Sequence, residues 1–329
     1  MNDRARHPVL IAALGLVLLA GVLAAGVSFG VSGLSVGHAL QLLFFPDASP
    51  ESALVWDVRL PRALLAMLVG ANLAIAGVLI QTLTRNPLAS PQTFGINAGA
   101  SLAIVACLIA FPSLKGAGTV GPAFAGAAAV GLAMWALSIS GVMNELKLAL
   151  AGVSIQLVLS ALVQAILIAN NAAQDIVYWL AGSLSAAQWP KVSLILPFTL
   201  VGGGVALTGA RHFSVLALDQ TTGLSLGQNA KRTGGVAAIL IVLLAGSAVA
   251  VCGPIGFIGL LVPHIVRRLA GGDIAVILVL SAIVGPLLLG AADLFGRIVV
   301  FPAEMPAGVV TALIGAPAFL LILYGKRTR

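Results

Sequence analysis

One segment constrains this chain more than any other: Gly253-Pro254-Ile255-Gly256-Phe257-Ile258-Gly259-Leu260-Leu261-Val262-Pro263-His264. It follows a long apolar run and places three glycines and two prolines in twelve residues. Glycine lacks the Cβ that limits backbone angles, and proline removes an N–H and fixes φ, so no smooth helix is expected here. In hydrocarbon, the backbone groups freed by a break persist only where protein or a water-filled cavity covers them. A helix interrupted around Gly253, Pro254, Gly256, Gly259 and Pro263 therefore points to a membrane protein with an internal path, not to a simple anchor.

Composition agrees with a membrane setting. Of 329 residues, 60% are hydrophobic and only 8% charged, where a soluble domain carries about 25% charged residues. Such a chain cannot solvate a globular surface. The net charge of +7 is scattered singly and in short clusters, so it is not a nucleic-acid footprint. Its physical use is orientation, because Lys and Arg stay on the cytoplasmic side. Cys107 and Cys252 lie apart in apolar stretches. They offer no disulfide framework and no metal spacing, and read as small core hydrophobes.

Apolar runs of about 20 residues, the length that crosses a bilayer, recur along the whole chain. They predict about ten membrane spans, at roughly 8–29, 62–83, 93–112, 119–140, 146–169, 191–209, 234–252, 255–270, 274–296 and 306–325. The first follows a short basic start (Arg4, Arg6) and is expected to be a retained helix. The eighth is the short, broken one. No linker divides the chain, so 1–329 reads as a single all-α, polytopic membrane domain. With the N-terminus inside, twelve Lys and Arg fall on the inner side, Arg85, Arg267 and Arg268 among them. Five (Arg59, Arg62, Lys115, Lys191 and Arg297) fall outside. That asymmetry predicts both termini in the cytoplasm.

Small residues recur at helical spacing. Gly70, Ala74 and Gly77 share a face of the second span, and Gly95 and Gly99 form a GxxxG in the third. Such ridges let backbones approach where lipid offers no hydrophobic contrast. Internal packing is the ordinary reading. Two segments between spans look organised. On the outer side, about 175–188 reads as a short surface helix with Tyr178 and Trp179 at headgroup depth. On the inner side, about 213–232 has Leu216, Leu218, Leu224 and Leu226 among polar residues, broken by Gly223 and Gly227. Two short helices suited to a soluble partner are expected there.

No catalytic constellation is visible. The four histidines (His7, His38, His212, His264) lie in separate segments without metal-ligand spacing, and no phosphate-binding G-x-x-x-x-G-K-[ST] occurs. The chain is not expected to be an enzyme, to hold a metal or to bind a cofactor. Energy must come from another chain or an ion gradient. Asp293 and Arg297 stand four apart and can pair on one helix face, with a transport role for Asp293 as the alternative. Arg59 and Arg62 flank Leu60-Pro61. They anchor headgroups by snorkelling or meet acidic residues of an outside partner, and the sequence leaves both open.

Several segments together resemble the iron-siderophore, haem and cobalamin permease family of bacterial ABC importers (FecCD-type). They are Arg59-Leu-Pro-Arg62, Gln81-Thr-Leu-Thr-Arg-Asn-Pro-Leu-Ala-Ser-Pro91, Gly95-Ile-Asn-Ala-Gly-Ala100, Leu150-Ala-Gly152 and Tyr178-Trp-Leu-Ala-Gly-Ser183. Leu226-Gly227, Gly253 to His264, Glu304-Met-Pro-Ala-Gly308 and Ala312-Leu-Ile-Gly-Ala-Pro317 continue the match. It runs from about residue 56 to the end, and its wording looks most like the ferric-dicitrate permeases. Met305 and Ala307 depart from the family's usual pattern before the last span, and Asp219-Gln-Thr-Thr is unusual in the inner segment.

The resemblance implies a permease subunit of the bacterial inner membrane that moves an iron chelate. Its implied partners are a second permease chain, two cytoplasmic ATPase chains that bind the ATP and Mg, and an external binding protein. It implies binding-protein docking at Arg59, Arg62 and Arg297. Coupling to the ATPase is implied within 215–229, at Val215, Leu216, Leu218, Thr222, Gly223, Leu224, Leu226, Gly227 and Gln228. It also implies a path narrowed near Asn86, Pro87 and Leu88 and lined by the fifth span, with Asn144, Leu150 and Gly152. Haem or cobalamin is the alternative cargo. An ion-coupled secondary transporter and a non-transporting scaffold are the rival classes.

Overall fold

A computed structural model describes residues 8–30, 34–113, 116–139, 145–170, 174–216 and 230–324, all of them helical or connecting, with no strand among them. In chain order the helices are α1 (Pro8–Ser28), α2 (Val36–Phe44), α3 (Pro50–Ala53), α4 (Leu60–Leu83), α5 (Ile96–Ala110), α6 (Val120–Ile139) and α7 (Glu145–Ala169). They continue with α8 (Gln174–Leu180), α9 (Trp189–Thr208), α10 (Ala210–Leu216), α11 (Ala230–Cys252), α12 (Ile258–Ala270), α13 (Ile274–Val299) and α14 (Ala307–Tyr324). Seven helical stretches are long and apolar enough to cross a membrane, and α5 and α14 are shorter apolar helices. The protein is thus a multi-pass, all-helical membrane protein.

The bundle is built around α4. Its most apolar window is 83% buried, against 11% for α1 and α7. It packs on α13, α11, α12 and α9. The small-residue ridge explains how. A Cβ on Gly70 would lie 2.6 Å from the Gly285 carbonyl oxygen, and one on Gly77 would lie 2.1 Å from that of Gly259. Backbone therefore meets backbone at both crossings, where dispersion contacts gain most from close approach. α5, α6 and α7 form a second group, joined to the first by α11.

Several predicted boundaries shift. The second span begins earlier: helix runs unbroken from Pro50 to Leu83, through a wider π turn at Leu54–Arg59. Pro61, which has no N–H to donate, follows directly on that wider turn. The third starts later. Residues 90–95 form a turn held by Gly95 N–H to Gln92 O (2.9 Å) and Ile96 N–H to Pro91 O (3.0 Å). Gly95 is consequently the left-handed cap before α5 and not one step of a ridge, while Gly99 alone meets Gly126 of α6. The break at the eighth span is confined to 253–257. Gly259 and Pro263 lie inside α12, which continues past the proline to Ala270.

Two short helices, α2 and α3, fill the gap between the first two predicted spans. Each starts at a serine, Ser35 or Ser49, whose hydroxyl accepts an amide of the first turn, the usual N-cap bond.

Candidate functional site

At one end of the bundle, five charged side chains from three segments converge. Arg62 of α4 reaches across to Asp293 of α13. Its Nε donates to both carboxylate oxygens at 3.1 Å and its Nη2 to Oδ1 at 2.9 Å. Its Nη1 donates to Glu304 Oε2 at 2.7 Å. Arg297, one turn beyond Asp293, pairs with its other oxygen and also donates to the Gly26 carbonyl at 3.1 Å. Arg59 Nη1 donates to the carbonyls of Val27 (3.0 Å) and Ser28. Those carbonyls close α1 and have no helical partner of their own.

The three arginines, expected near a lipid or partner surface, are all buried: 4% exposed for Arg59 and 8% for Arg62 and Arg297. Their alkyl stems do not snorkel outward. A buried guanidinium is tolerated only where carboxylates and carbonyls surround it, and apart from the Asp293–Arg297 pair the sequence places those acceptors 31 to 242 residues away. Asp293 pairs with Arg297 as its four-residue spacing predicts. Its second partner, Arg62, carried no local signal. The cluster borders an open pocket of about 320 Å³ lined by Phe29, Gly30, Leu54, Val58, Arg59, Arg62, Arg297 and Glu304. Three guanidiniums and two carboxylates leave one positive charge there. Arg297 Nε, buried, has no hydrogen-bond partner.

Next to this cluster the broken segment is covered by protein, as hydrocarbon requires. Ser183 N–H donates to Cys252 O (2.9 Å), and Asn97 Nδ2 reaches Ile255 O at 3.5 Å. Gly253 takes φ 76°, and a Cβ there would sit 2.0 Å from the Trp179 carbonyl oxygen, so both its conformation and its neighbour demand glycine. The turn after α8 is pinned from the other side by Gly308 N–H to Gly182 O, 2.8 Å. Phe257 then enters α12 at φ 66°, a strained value for a residue with a Cβ.

Inside α12, Pro263 cannot donate to the Gly259 carbonyl one turn back. Gln81 of α4 fills the vacancy. Its Nε2 lies 3.4 Å from Gly259 O and 3.5 Å from Leu260 O, and its Oε1 accepts from Arg267. Sequence reading missed this clasp, although Gln81 is polar within an apolar span and was open to suspicion for that reason.

The expected path residues separate. In the turn after α4, Asn86 Oδ1 accepts the Leu88 amide at 2.9 Å, Pro87 follows Asn86, and Leu88 is exposed. Gly152 of α7 is buried against that same connection, 2.6 Å from the Thr93 carbonyl oxygen if given a Cβ. Leu150 points away and is exposed with Val153, Leu157, Val158 and Leu162, an apolar face that no described residue covers. Val215 and Leu216 end α10, and Arg85 Nε donates to Leu216 O at 2.9 Å. Leu218, Thr222, Gly223, Leu224, Leu226, Gly227, Gln228 and Asn144 lie outside the described residues. Among the described residues, no three His, Cys, Asp or Glu gather as metal ligands.

Residues 16–325 match the model of the FecCD transport family. The chain belongs to that family. A FecCD relative from Bacillus subtilis (strain 168), the Fe(3+)-citrate import system permease protein YfmD, is 44% identical over 309 residues, covering 94% of this chain and 92% of that one. The Fe(3+) dicitrate transport system permease protein FecC of Escherichia coli (strain K12) is 38% identical over 301 residues, 89% of each. Among solved structures, an inward-facing ABC transporter assigned to the metal-chelate type superposes with a TM-score of 0.84 at 27% identity. It covers 96% of this chain and 99% of that one.

Proposed function

We propose that this FecCD protein is the membrane-spanning subunit of a binding-protein-dependent ABC importer for an iron chelate, with ferric citrate as first cargo. The observation that carries the reading is its 44% identity, over nearly the whole of both chains, to a Fe(3+)-citrate import permease. It works in the bacterial inner membrane as one permease domain of about ten spans, three more than the seven long apolar stretches, with α5, α12 and α14 as the additional short ones. Both termini lie in the cytoplasm. A second permease chain covers the unpartnered face of α7. Two ATPase chains engage the segment after α10, and they alone bind and hydrolyse ATP.

In this reading, nucleotide-driven closure of the ATPases moves α10. The Arg85 bond to Leu216 carries that motion to the turn at Asn86–Leu88, next to the path. The external protein brings the chelate to the Arg59, Arg62 and Arg297 pocket. The three guanidiniums of that pocket favour a carboxylate of that protein, fixing register more than adding affinity. An ion-coupled mechanism fits less well, because Asp293 is held between two arginines.

Uptake of radioactive iron as ferric citrate, in cells with and without the chain, tests the proposal, with haem and cobalamin run alongside. Selective loss of the iron signal without the chain is expected. Loss of haem or cobalamin uptake instead would replace the cargo. Retention of all three would refute the importer reading.

A further inference from the structure

We infer that Glu304 is an internal stand-in for the external protein's carboxylate, and that docking displaces it from Arg62. The inference rests on the docking reading above and goes beyond it by naming the competitor already on the site. The two acids of the cluster are held differently. Asp293 is 3% exposed at its side chain and gripped by both Arg62 and Arg297. Glu304 is 31% exposed, lines the open pocket, and has one ion pair, to Arg62 Nη1 at 2.7 Å. An arriving carboxylate would find the inner edge of the Arg62 guanidinium taken by Asp293 and its outer edge taken by Glu304. Only the second is within reach of water and free to swing.

Such a stand-in solves a physical problem. Without a partner, two buried guanidiniums sharing one carboxylate would be costly. With Glu304 present the resting cluster is balanced to within one charge, and docking exchanges one carboxylate for another on the same nitrogen. That exchange gives selectivity with little net affinity, as a protein that must dock and leave at each cycle requires. The main chain stays in place during the exchange. The Glu304 carbonyl accepts the Tyr178 hydroxyl of α8 at 3.0 Å. The next residue is fixed by Met305 N–H to Gly296 O at 3.0 Å. The swing is therefore confined to the Glu304 side chain.

The test uses the complete importer, purified from cells and placed in nanodiscs. The probe is the same cells' ferric-citrate-binding protein, loaded with ferric citrate, and the readout is the concentration that half-stimulates ATP hydrolysis. Arg62→Gln should raise that concentration at least about tenfold, since it removes a charge pair across the contact. Glu304→Gln should lower it about three- to tenfold, the worth of a part-exposed ion pair, and Glu304→Asp should fall between. Phenylglyoxal should modify Arg62 faster in Glu304→Gln, with Arg59 and Arg297 unchanged, which a misfolded variant would not show. A rise or no change in Glu304→Gln, alongside the rise in Arg62→Gln, overturns the stand-in and leaves docking intact. No effect of Arg62→Gln overturns the docking reading and the inference together.

Discussion

Replacing Asp293 with Asn should destabilise the folded chain by about 3–5 kcal/mol, the usual cost of removing one partner from a buried ion pair. The amide keeps the shape of the carboxylate, so packing on α4 is unchanged and the effect is electrostatic. Asp293 receives three contacts of 2.9–3.1 Å from Arg62 and one from Arg297. In the variant both guanidiniums stay buried, and only Glu304, partly in water, remains to balance them. Unfolding of the full chain in mixed micelles, followed by tryptophan fluorescence, gives the free energy. The decisive comparison is a double-mutant cycle with Arg297→Gln. Once the Arg297 charge is gone, the cost of Asp293→Asn should shrink by about 1–3 kcal/mol, the coupling of groups in one network. Additive effects, each below about 1 kcal/mol as for exposed pairs, would refute the claim that this cluster holds α4 to α13.

Further variants probe packing and backbone satisfaction by the same measurement. Gly77→Ala should destabilise by about 1–3 kcal/mol through overpacking, because its Cβ would press on Gly259 backbone. Gly21→Ala, with open space around it in α1, should be neutral or stabilise by up to about 1 kcal/mol. Equal effects at the two sites would contradict the close crossing. Gln81→Leu should cost about 1–3 kcal/mol by stranding the Gly259 carbonyl. Pro263→Ala restores a helical donor to Gly259, so the loss should be smaller in that background, and an undiminished loss would argue against the clasp.

Where sequence and structure agree, the signal was local. The apolar runs predicted the positions of the long helices to within a few residues, because hydrocarbon demands a fixed length and internally paired backbone. Gly253 and Pro254 located the break for the same local reason. The Asp293–Arg297 pair was legible from its spacing on one helix face. The Gly70, Ala74 and Gly77 ridge was legible as packing, though not its partners, Gly285 and Gly259. Two readings failed for different reasons: Gly95 is a cap because the 90–95 turn closes on itself, a local arrangement that the GxxxG spacing masked, and α12 tolerates Pro263 because the distant Gln81 supplies what the proline removes.

The sequence by itself determined that this chain is a polytopic helical membrane protein and, through its motifs, that it resembles a FecCD permease. Composition, hydrophobic length and short motifs are properties of contiguous residues, and they persist whatever the helices pack against. Only the tertiary structure decided that Arg59, Arg62 and Arg297 are buried in one cluster, and that Asp293 is held by two arginines while Glu304 is part-exposed and held by one. Those outcomes depend on which distant carbonyls and carboxylates the folded bundle brings within 3 Å or so of a guanidinium. The strength of a charge pair is set by its burial and geometry, and neither is written at the position of the arginine.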